Sequence, residues 1–328
     1  MLPRRPLLAL GAAALAAPLA ASRIAAAQPA WPDRPVRFVV PFPGGSSPDL
    51  TGRLVAQHLS TVLGQPVVVD NRAGAGGNIG TDAVAKATDE VTIGLSINGP
   101  LSTAPALYPN LPYDPAKDLV AVSLLVRGGQ VLVVHPSVPA TDFAGFVAHA
   151  RANPGKLTFG SVGAGSGGHL AMEDIKARTG ITLEHVPYRG FPPAVLDLVA
   201  GRISAMVVTA AAILPQLRES QARALAVTTD ARMPQLPDVP TLAEVGLPGA
   251  ASYGWQVLIA PAGTPRERVE MLAREARVAL STDRARQAMD AAAFEVVAGS
   301  PEEASAYVAA EAARWGALIR KLGLTLEG

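Results

Sequence analysis

The chain contains no cysteine. Disulfides and thiolate metal sites are therefore excluded. Beyond residue 27 it has no stretch of 18 apolar residues, the length a membrane-spanning helix needs. The longest apolar segment, Ile203 to Leu214, is too short to span and reads as a buried strand running into a helix. Aromatic residues are scarce, at 5%, which argues against a stacking platform for sugars or bases. Lys and Arg nearly balance Asp and Glu and form no cluster, which argues against nucleic acid. There is no HExxH, and histidines 58, 135, 149, 169 and 185 show no metal-ligand spacing. No lysine follows a glycine run as in a phosphate-binding P-loop. Ser166 lies in Ala164-Gly165-Ser166-Gly167-Gly168, which lacks the first glycine of a hydrolase nucleophile elbow. No nucleophile, base and orienter occur together in the motif loops. The expectation is a chain without catalytic residues, metal or cofactor.

The first 27 residues, MLPRRPLLALGAAALAAPLAASRIAAA, read as a secretory signal peptide. Arg4 and Arg5 make a positive n-region, Leu7 to Ala21 is uncharged, and Ala25 to Ala27 supply small residues before a cut ahead of Gln28. The adjacent arginines match twin-arginine export only in part, so the general and twin-arginine routes both stay open. Cleavage leaves 301 of the 328 residues and moves the formal charge from +1 to about −2. A chain of that size usually divides into two lobes.

Two glycine-rich turns are the strongest positive signal. PFPGGSSPD (41–49) and GSVGAGSGGH (160–169) each follow an apolar strand and open a helix. The first N–H groups of a helix have no partner within it, and the helix dipole adds partial positive charge there. Glycine lets a ligand approach that backbone. Such a turn suits phosphate, sulfate or carboxylate. Two of them, about 120 residues apart, suggest two lobes gripping one small anion.

The rest of the chain alternates strand and helix, the pattern of α/β folds with parallel strands. Strands are expected at 36–40, 67–69, 91–95, 120–126, 131–134, 157–161, 183–186, 203–208, 222–228 and 256–259. In the first helix, Ser46-Ser47-Pro48 supplies an N-cap and an early proline, Leu50, Leu54, Val55, Leu59, Val62 and Leu63 recur at helical spacing, and Gly64 stops it. Arg127-Gly128-Gly129 reads as a break between two strands. Ligands of open α/β sheets bind beyond the carboxyl ends of strands. Both glycine turns, Ser96 to Gly99 and Val208-Thr209 all fall there.

A second reading competes. Gly163-Ala164-Gly165-Ser166-Gly167-Gly168 fits the dinucleotide pattern GxGxxG, and Glu184 lies where a ribose-binding acid would. That makes an exported NAD(P)-dependent oxidoreductase the alternative. Its mid-chain position, the leader, and the equally good first turn weigh against it.

From Trp31 to the C-terminus the chain resembles the receptors of tripartite tricarboxylate transporters, the Bug-type periplasmic binding proteins. The resemblance rests on collinear segments: WPDRPVRFVVPFPGG (31–45), VVVDNRAGAGGNIG (67–80), LYPNLPYDPAKDL (107–119), ANPGKLTFGSVGAGSGGHLA (152–171), HVPYRG (185–190), RALAVTTDARMPQLPDVPTLAEVGLPG (223–249), APAGTP (260–265) and EAARWGALIRKLGL (311–324). It implies an α/β fold of the type II-like Venus flytrap kind, two-lobed, each lobe a mostly parallel sheet flanked by helices. Lobe 1 is expected at 31–128 plus 227–328 and lobe 2 at 129–226, with crossings near Gly128 and Ala226. Function follows: a monomeric periplasmic receptor closing on a small carboxylate and serving transporter permease subunits or a sensor. Carried over by position, the ligand loops are Phe42, Pro43, Gly44, Gly45, Ser46 and Ser47 with Asp49; Ser96 to Asn98; and Ser161 with Gly163, Ala164, Gly165 and Ser166. His169 lies beside the third loop, and Thr209 ends a cleft strand. No arginine lies in these loops, so backbone amides and hydroxyls, Ser161 and Ser166 among them, are expected to hold the carboxylate. Tyr188 and Arg189 either line the cleft or pack the hinge.

The chain departs from the family pattern at Ser46, where glycine is usual, at Pro48, at Thr88-Asp89-Glu90, where Pro-Asp-Gly is usual, and at Ser204 and Val208, where acids are frequent. Val208 bears on the ligand. Without an acid there, a buried ammonium lacks a partner, and a ligand without a free amino group is expected.

Overall fold

The structure, a computed structural model, describes residues 31–326, and its compact unit begins at Pro32. The expected signal peptide lies outside the described residues. Among the described residues no helix is long and apolar enough to cross a membrane.

The N-terminal elements follow local chemistry. Strand β1 (Val36–Val40) is nearly all buried and lies between β2 (Val67–Asn71) and β3 (Thr92–Ile97), parallel to both. Helix α1 (Ser47–Leu63) starts after Ser46 and ends where Gly64 turns left-handed at φ 64°. Its inner face is Val55, Ala56 and Leu59. Leu50 and Val62, expected on the same stripe, are instead exposed. Helix α2 (Asn78–Ala85) precedes β3. In the turn between them Glu90 sits at φ 59°, a conformation that suits the family's glycine. The Asp89 carboxylate secures that turn by accepting the Val91 and Thr92 N–H groups. A π-helical turn (Gly99–Thr103), α3 (Ala104–Leu107) and α4 (Pro115–Asp118) lead to β4.

Strand β4 (Leu119–Val134) organises the rest. It runs unbroken for 16 residues through Arg127-Gly128-Gly129, where two strands were expected. The glycines are there for packing rather than for a turn. A Cβ on Gly128 would lie 2.6 Å from the Phe294 ring, and one on Gly129 would lie 2.6 Å from the Thr229 methyl. Beyond β4 come α5 (Phe143–Ala152), β5 (Thr158–Ser161), α6 (Gly167–Thr179), β6 (Glu184–Pro187), α7 (Phe191–Val199), β7 (Ala205–Thr209), α8 (Ala210–Arg218) and β8 (Arg223–Val227). Strand β9 (Tyr253–Pro261), α9 (Arg266–Ser281), α10 (Asp283–Ala291), β10 (Phe294–Val296) and α11 (Pro301–Leu322) complete the chain.

The strand order is β2-β1-β3-β9-β4-β7-β5-β6, with β8 and β10 also on β4. The first part of β4 pairs with β9 and β10, and Gln130 to Val134 pair with β7 and β8, all antiparallel. The expected parallel pairs, β1 with β2 and β3 and β5 with β6 and β7, occupy the outer ends. Each half is therefore mixed rather than mostly parallel, because β4 and β9 carry the chain across and back in opposite directions.

Alternation along β4 and β7 builds two cores on the second half. Leu132, Val134, Ala205 and Val207 face one core with Phe146 and Phe159, while Val131, Val133, Met206 and Val208 face the other with Ile213. Leu242, Leu247 and Ala250 belong to the first of these. The segment after Ala226, expected in the first half, thus packs with the second half through Ala250. The first half has its own core, with Val39, Trp255, Val257 and Ile259.

Candidate functional site

The β1–α1 loop is shaped from within. The Ser46 hydroxyl donates to the Pro43 carbonyl at 2.7 Å. The buried Asp49 carboxylate accepts the Gly45 N–H, the Arg53 Nε–H and the Asn71 Nδ2–H, each at 2.9 Å. Burial works to raise its pKa, but the hydrogen bonds from Arg53, Gly45 and Asn71 outweigh burial and hold it below the usual carboxylate range. Asp49 is thus ionised, paired with Arg53, and sets the loop's shape. Phe42 faces Phe191 across the cleft with ring centroids 6.0 Å apart.

The β5–α6 loop is braced from beneath. Ser161 is buried, and its hydroxyl lies 2.7 Å from His185 Nε2 and 2.9 Å from the Gly163 carbonyl. His169 Nδ1 accepts the Gly165 N–H at 3.0 Å, which places that ring's proton on Nε2. The His169 and His185 rings stack with centroids 4.0 Å apart. Burial, then the His185 ring and Lys176, lower the His169 pKa to about 3; burial and Lys176 lower that of His185 to about 4. Both rings are neutral. Gly163 at φ 136° and Gly165 at φ 78° need glycine. A Cβ on Gly163 would also lie 2.6 Å from the Gly76 Cα, so the NRAGAGG loop of the first half presses backbone against backbone here. Thr103 and Tyr108 of the first half donate hydroxyls to the Gly165 and Ala164 carbonyls.

Between these loops a cavity of about 30 Å³ is bounded by the starts of α1 and α6 and by β3, β7 and β9. That is room for about two waters. Its polar lining is Ser47, Asn98, Gln130, Ser166, Thr209 and Gln256, and none of its lining residues is charged. Three buried polar atoms in this lining have no hydrogen-bond partner: Ser166 Oγ, Thr209 Oγ1 and Gln256 Oε1. Buried polar groups normally find partners, so three orphans on one cavity stand out. Ser166 has N-cap backbone geometry, but its hydroxyl does not cap the helix. Gly167 and Gly168 begin α6 at contact distance: a Cβ on Gly167 would overlap Asn98 Nδ2, and one on Gly168 would overlap the Val207 carbonyl. Their N–H groups belong to the first helical turn and lack intrahelical partners. Gln130 is oriented by Ser252, whose hydroxyl donates to its Oε1 at 3.2 Å, leaving Nε2 toward Gly167.

Of the residues expected at the site, Ser47, Asn98, Ser166 and Thr209 meet at this cavity. Ser96 instead bonds Thr81 within the first half, at 2.7 Å. Ser161 and His169 support the third loop, and Asp49 the first. The Tyr188 hydroxyl donates to Asp197, and Arg189 is exposed and outside the cavity. Gln130, Gln256, Phe191, Trp255 and Phe294 also line the cavity and were not expected there. For the two glutamines the signal was a carboxamide in an otherwise apolar strand stretch, Gln130-Val131-Leu132 and Trp255-Gln256-Val257.

The family model for the tripartite tricarboxylate transporter family receptor matches residues 51–324. The chain is 37% identical to Protein BugT of Bordetella pertussis over 320 residues, 97% of this chain and 96% of that protein. It superposes on the structure of R. palustris Rpa4515 with adipate at a TM-score of 0.85 and 37% identity, covering 90% of this chain and 100% of that one. MatC of Rhodopseudomonas palustris, with bound malate, matches at a TM-score of 0.84 and 31% identity, over 88% and 100% of the two chains. The oxidoreductase alternative finds no support here, and its GxGxxG turn is the β5–α6 loop pressed against Gly76. The fold is the two-lobed α/β fold of periplasmic binding proteins, and the chain belongs to the tripartite tricarboxylate transporter family of solute-binding receptors, not to an enzyme family.

Proposed function

We propose that this receptor closes its two lobes over a small carboxylate in the periplasm and presents it, as a monomer, to the membrane permease subunits of a tripartite tricarboxylate transporter. The observation that carries the ligand class is the convergence of the unpartnered hydroxyls Ser166 Oγ and Thr209 Oγ1 on an uncharged cavity at the α6 N-terminus. Two carboxylate oxygens match a space of about two waters. The two hydroxyls, the Asn98 and Gln130 amides and the Gly167 and Gly168 N–H groups supply donors, and the helix dipole supplies positive potential. Gln256 donates only if its carboxamide turns over, since its Oε1 is the atom left without a partner. Ser47 serves from the facing lobe. Phe42 to Ser46, Asp49, Ser96, Ser161, Gly163, Ala164, Gly165 and His169 act by holding the loops.

Lobe 1 comprises 32–128 plus 253–326 and lobe 2 comprises 129–252, since Leu242, Leu247 and Ala250 pack in the second core. The hinge is β4 at Gly128-Gly129 together with the start of β9, where a Cβ on Gly254 would lie 2.6 Å from the Thr209 methyl. Contacts to both lobes are the differential interaction that favours closure. Val208 lines the cavity and Asp49 is engaged, so no acid awaits an ammonium. The test is calorimetric titration of periplasmically purified protein with simple carboxylates, for the native chain and Ser166→Ala. Saturable binding that weakens tenfold or more in the variant supports the reading. Equal affinity in both, or turnover of any carboxylate, refutes it.

A further inference from the structure

One buried hydroxyl beside the cleft has more acceptors in reach than it has protons. Thr103 is 1% exposed and ends the π-helical turn that Asn98 of the ligand cavity precedes. Its Oγ1 lies 3.0 Å from the Gly99 carbonyl of its own turn and 2.5 Å from the Gly165 carbonyl of the β5–α6 loop. A threonine hydroxyl carries one proton and donates fully to only one of them. The shorter distance assigns it to Gly165. The Gly99 carbonyl does not depend on Thr103, because it also accepts the Ala104 N–H. Gly99 travels with Thr103 wherever the lobes stand, whereas Gly165 is in reach only when they meet. A Cβ on Gly165 would lie 2.8 Å from the Leu107 side chain, so the loop backbone packs directly on this helical segment.

The bond lands one residue from the ligand site. The Gly165 carbonyl and the Ser166 N–H belong to a single peptide unit. That N–H donates to the Gly163 carbonyl at 3.1 Å, within the loop's own lobe. Thr103 holds the other side of the same peptide from the opposite lobe. A peptide gripped at both its N–H and its C=O is fixed in rotation, and it sets the backbone that carries Ser166 Oγ. We propose that Thr103 is a positioning residue that latches the closed receptor: as the lobes meet over the ligand its hydroxyl swings from the Gly99 carbonyl to the Gly165 carbonyl and holds Ser166 toward the carboxylate. The hydroxyl has an acceptor in both states, so the open form is not penalised. The bond across the cleft exists only in the closed form, so it slows opening and with it ligand release. The inference rests on the carboxylate and closure readings above.

The experiment compares the native receptor with Thr103→Val, which keeps the branched shape without the donor, and Thr103→Ser, which keeps the donor. Acetate, butyrate, succinate and adipate are titrated calorimetrically, and stopped-flow measures dissociation of the tightest of the four. Thr103→Val leaves the Gly165 carbonyl without this donor on closure, so binding should weaken about fivefold or more. The loss should appear as faster dissociation, the Tm of the ligand-free variant should stay at the native value, and Thr103→Ser should bind within about twofold of native. A Thr103→Val receptor with native affinity and native dissociation rate overturns the latch. So does an equal loss in both variants accompanied by a fall in ligand-free Tm, which would make Thr103 a packing residue. Carbonyl carbon-13 spectra of the native receptor give a readout that no variant's folding affects. On ligand addition the Gly165 signal should move downfield and the Gly99 signal upfield, and two unmoved signals overturn the exchange. Small-angle scattering separates the underlying readings: a native receptor that binds without compacting removes closure and the latch together, and failure of all four carboxylates to bind removes the carboxylate reading and this inference with it.

Discussion

Replacing Thr209 by valine should move affinity and stability in different directions. The side chain is 6% exposed and its hydroxyl has no partner. Valine keeps the branched shape, so the methyl packed near Gly254 stays in place. Removing an unpartnered buried hydroxyl takes away no protein hydrogen bond. The ligand-free protein should therefore keep its stability or gain up to about 1 kcal/mol. For a chain of this size that is a rise of at most about 2 °C in Tm. In the complex the same hydroxyl donates to an ionised oxygen, an interaction of about 1.5–3 kcal/mol. Kd should then rise about 10- to 150-fold. Differential scanning calorimetry of the ligand-free variant and titration with the tightest-binding simple carboxylate measure both quantities. A clear fall in ligand-free Tm with unchanged Kd would show that Thr209 is a packing residue and refute the reasoning.

Four further outcomes follow from the geometry. Ser161→Ala should lower Tm by releasing His185 and Gly163 while weakening binding less than Ser166→Ala does; the reverse ranking in paired melting and titration experiments would restore Ser161 as a direct contact. The lowered His169 and His185 pKa values mean that the unfolded chain binds more protons below its ordinary histidine pKa of about 6.5. Stability is therefore complete above about pH 6.5 and declines as pH falls toward 4 and 3, and His185→Gln should flatten a plot of Tm against pH; an equal slope in the variant contradicts this. Gly163→Ala places a Cβ 2.6 Å from Gly76 at φ 136° and should weaken ligand binding at least tenfold by opposing lobe closure, and unchanged titration would count against that contact. In a thermal-shift panel, succinate should stabilise the receptor more than aspartate, since no acid lines the cavity at Val208; the opposite order would show that an ammonium is accommodated.

Much of this was legible wherever the controlling chemistry is local. Ser46, Pro48 and Gly64 mark the ends of α1 within a few residues of where they act, and both anion loops announce themselves by glycine. The failures share one cause, partners distant in sequence. Gly128 and Gly129 read as a break because their packing against Phe294 and Thr229 comes from the far end of the chain. Leu242, Leu247 and Ala250 lack a regular period, so nothing local shows that they complete a core built on Phe146 and Phe159. Ser161 and His169 read as ligand contacts from their place in the loop, and their bonds to His185 and Gly165 are visible only in the fold. Gln130 and Gln256 come from β4 and β9, and no spacing rule joins them to Ser166.

The most direct test is a crystal structure of the receptor with the simple carboxylate that binds most tightly in calorimetric titration. The account predicts one carboxylate within hydrogen-bond distance of Ser166 Oγ, Thr209 Oγ1 and the Gly167 N–H. A carboxylate bound elsewhere in the cleft, with Ser166 and Thr209 still without partners, would contradict it.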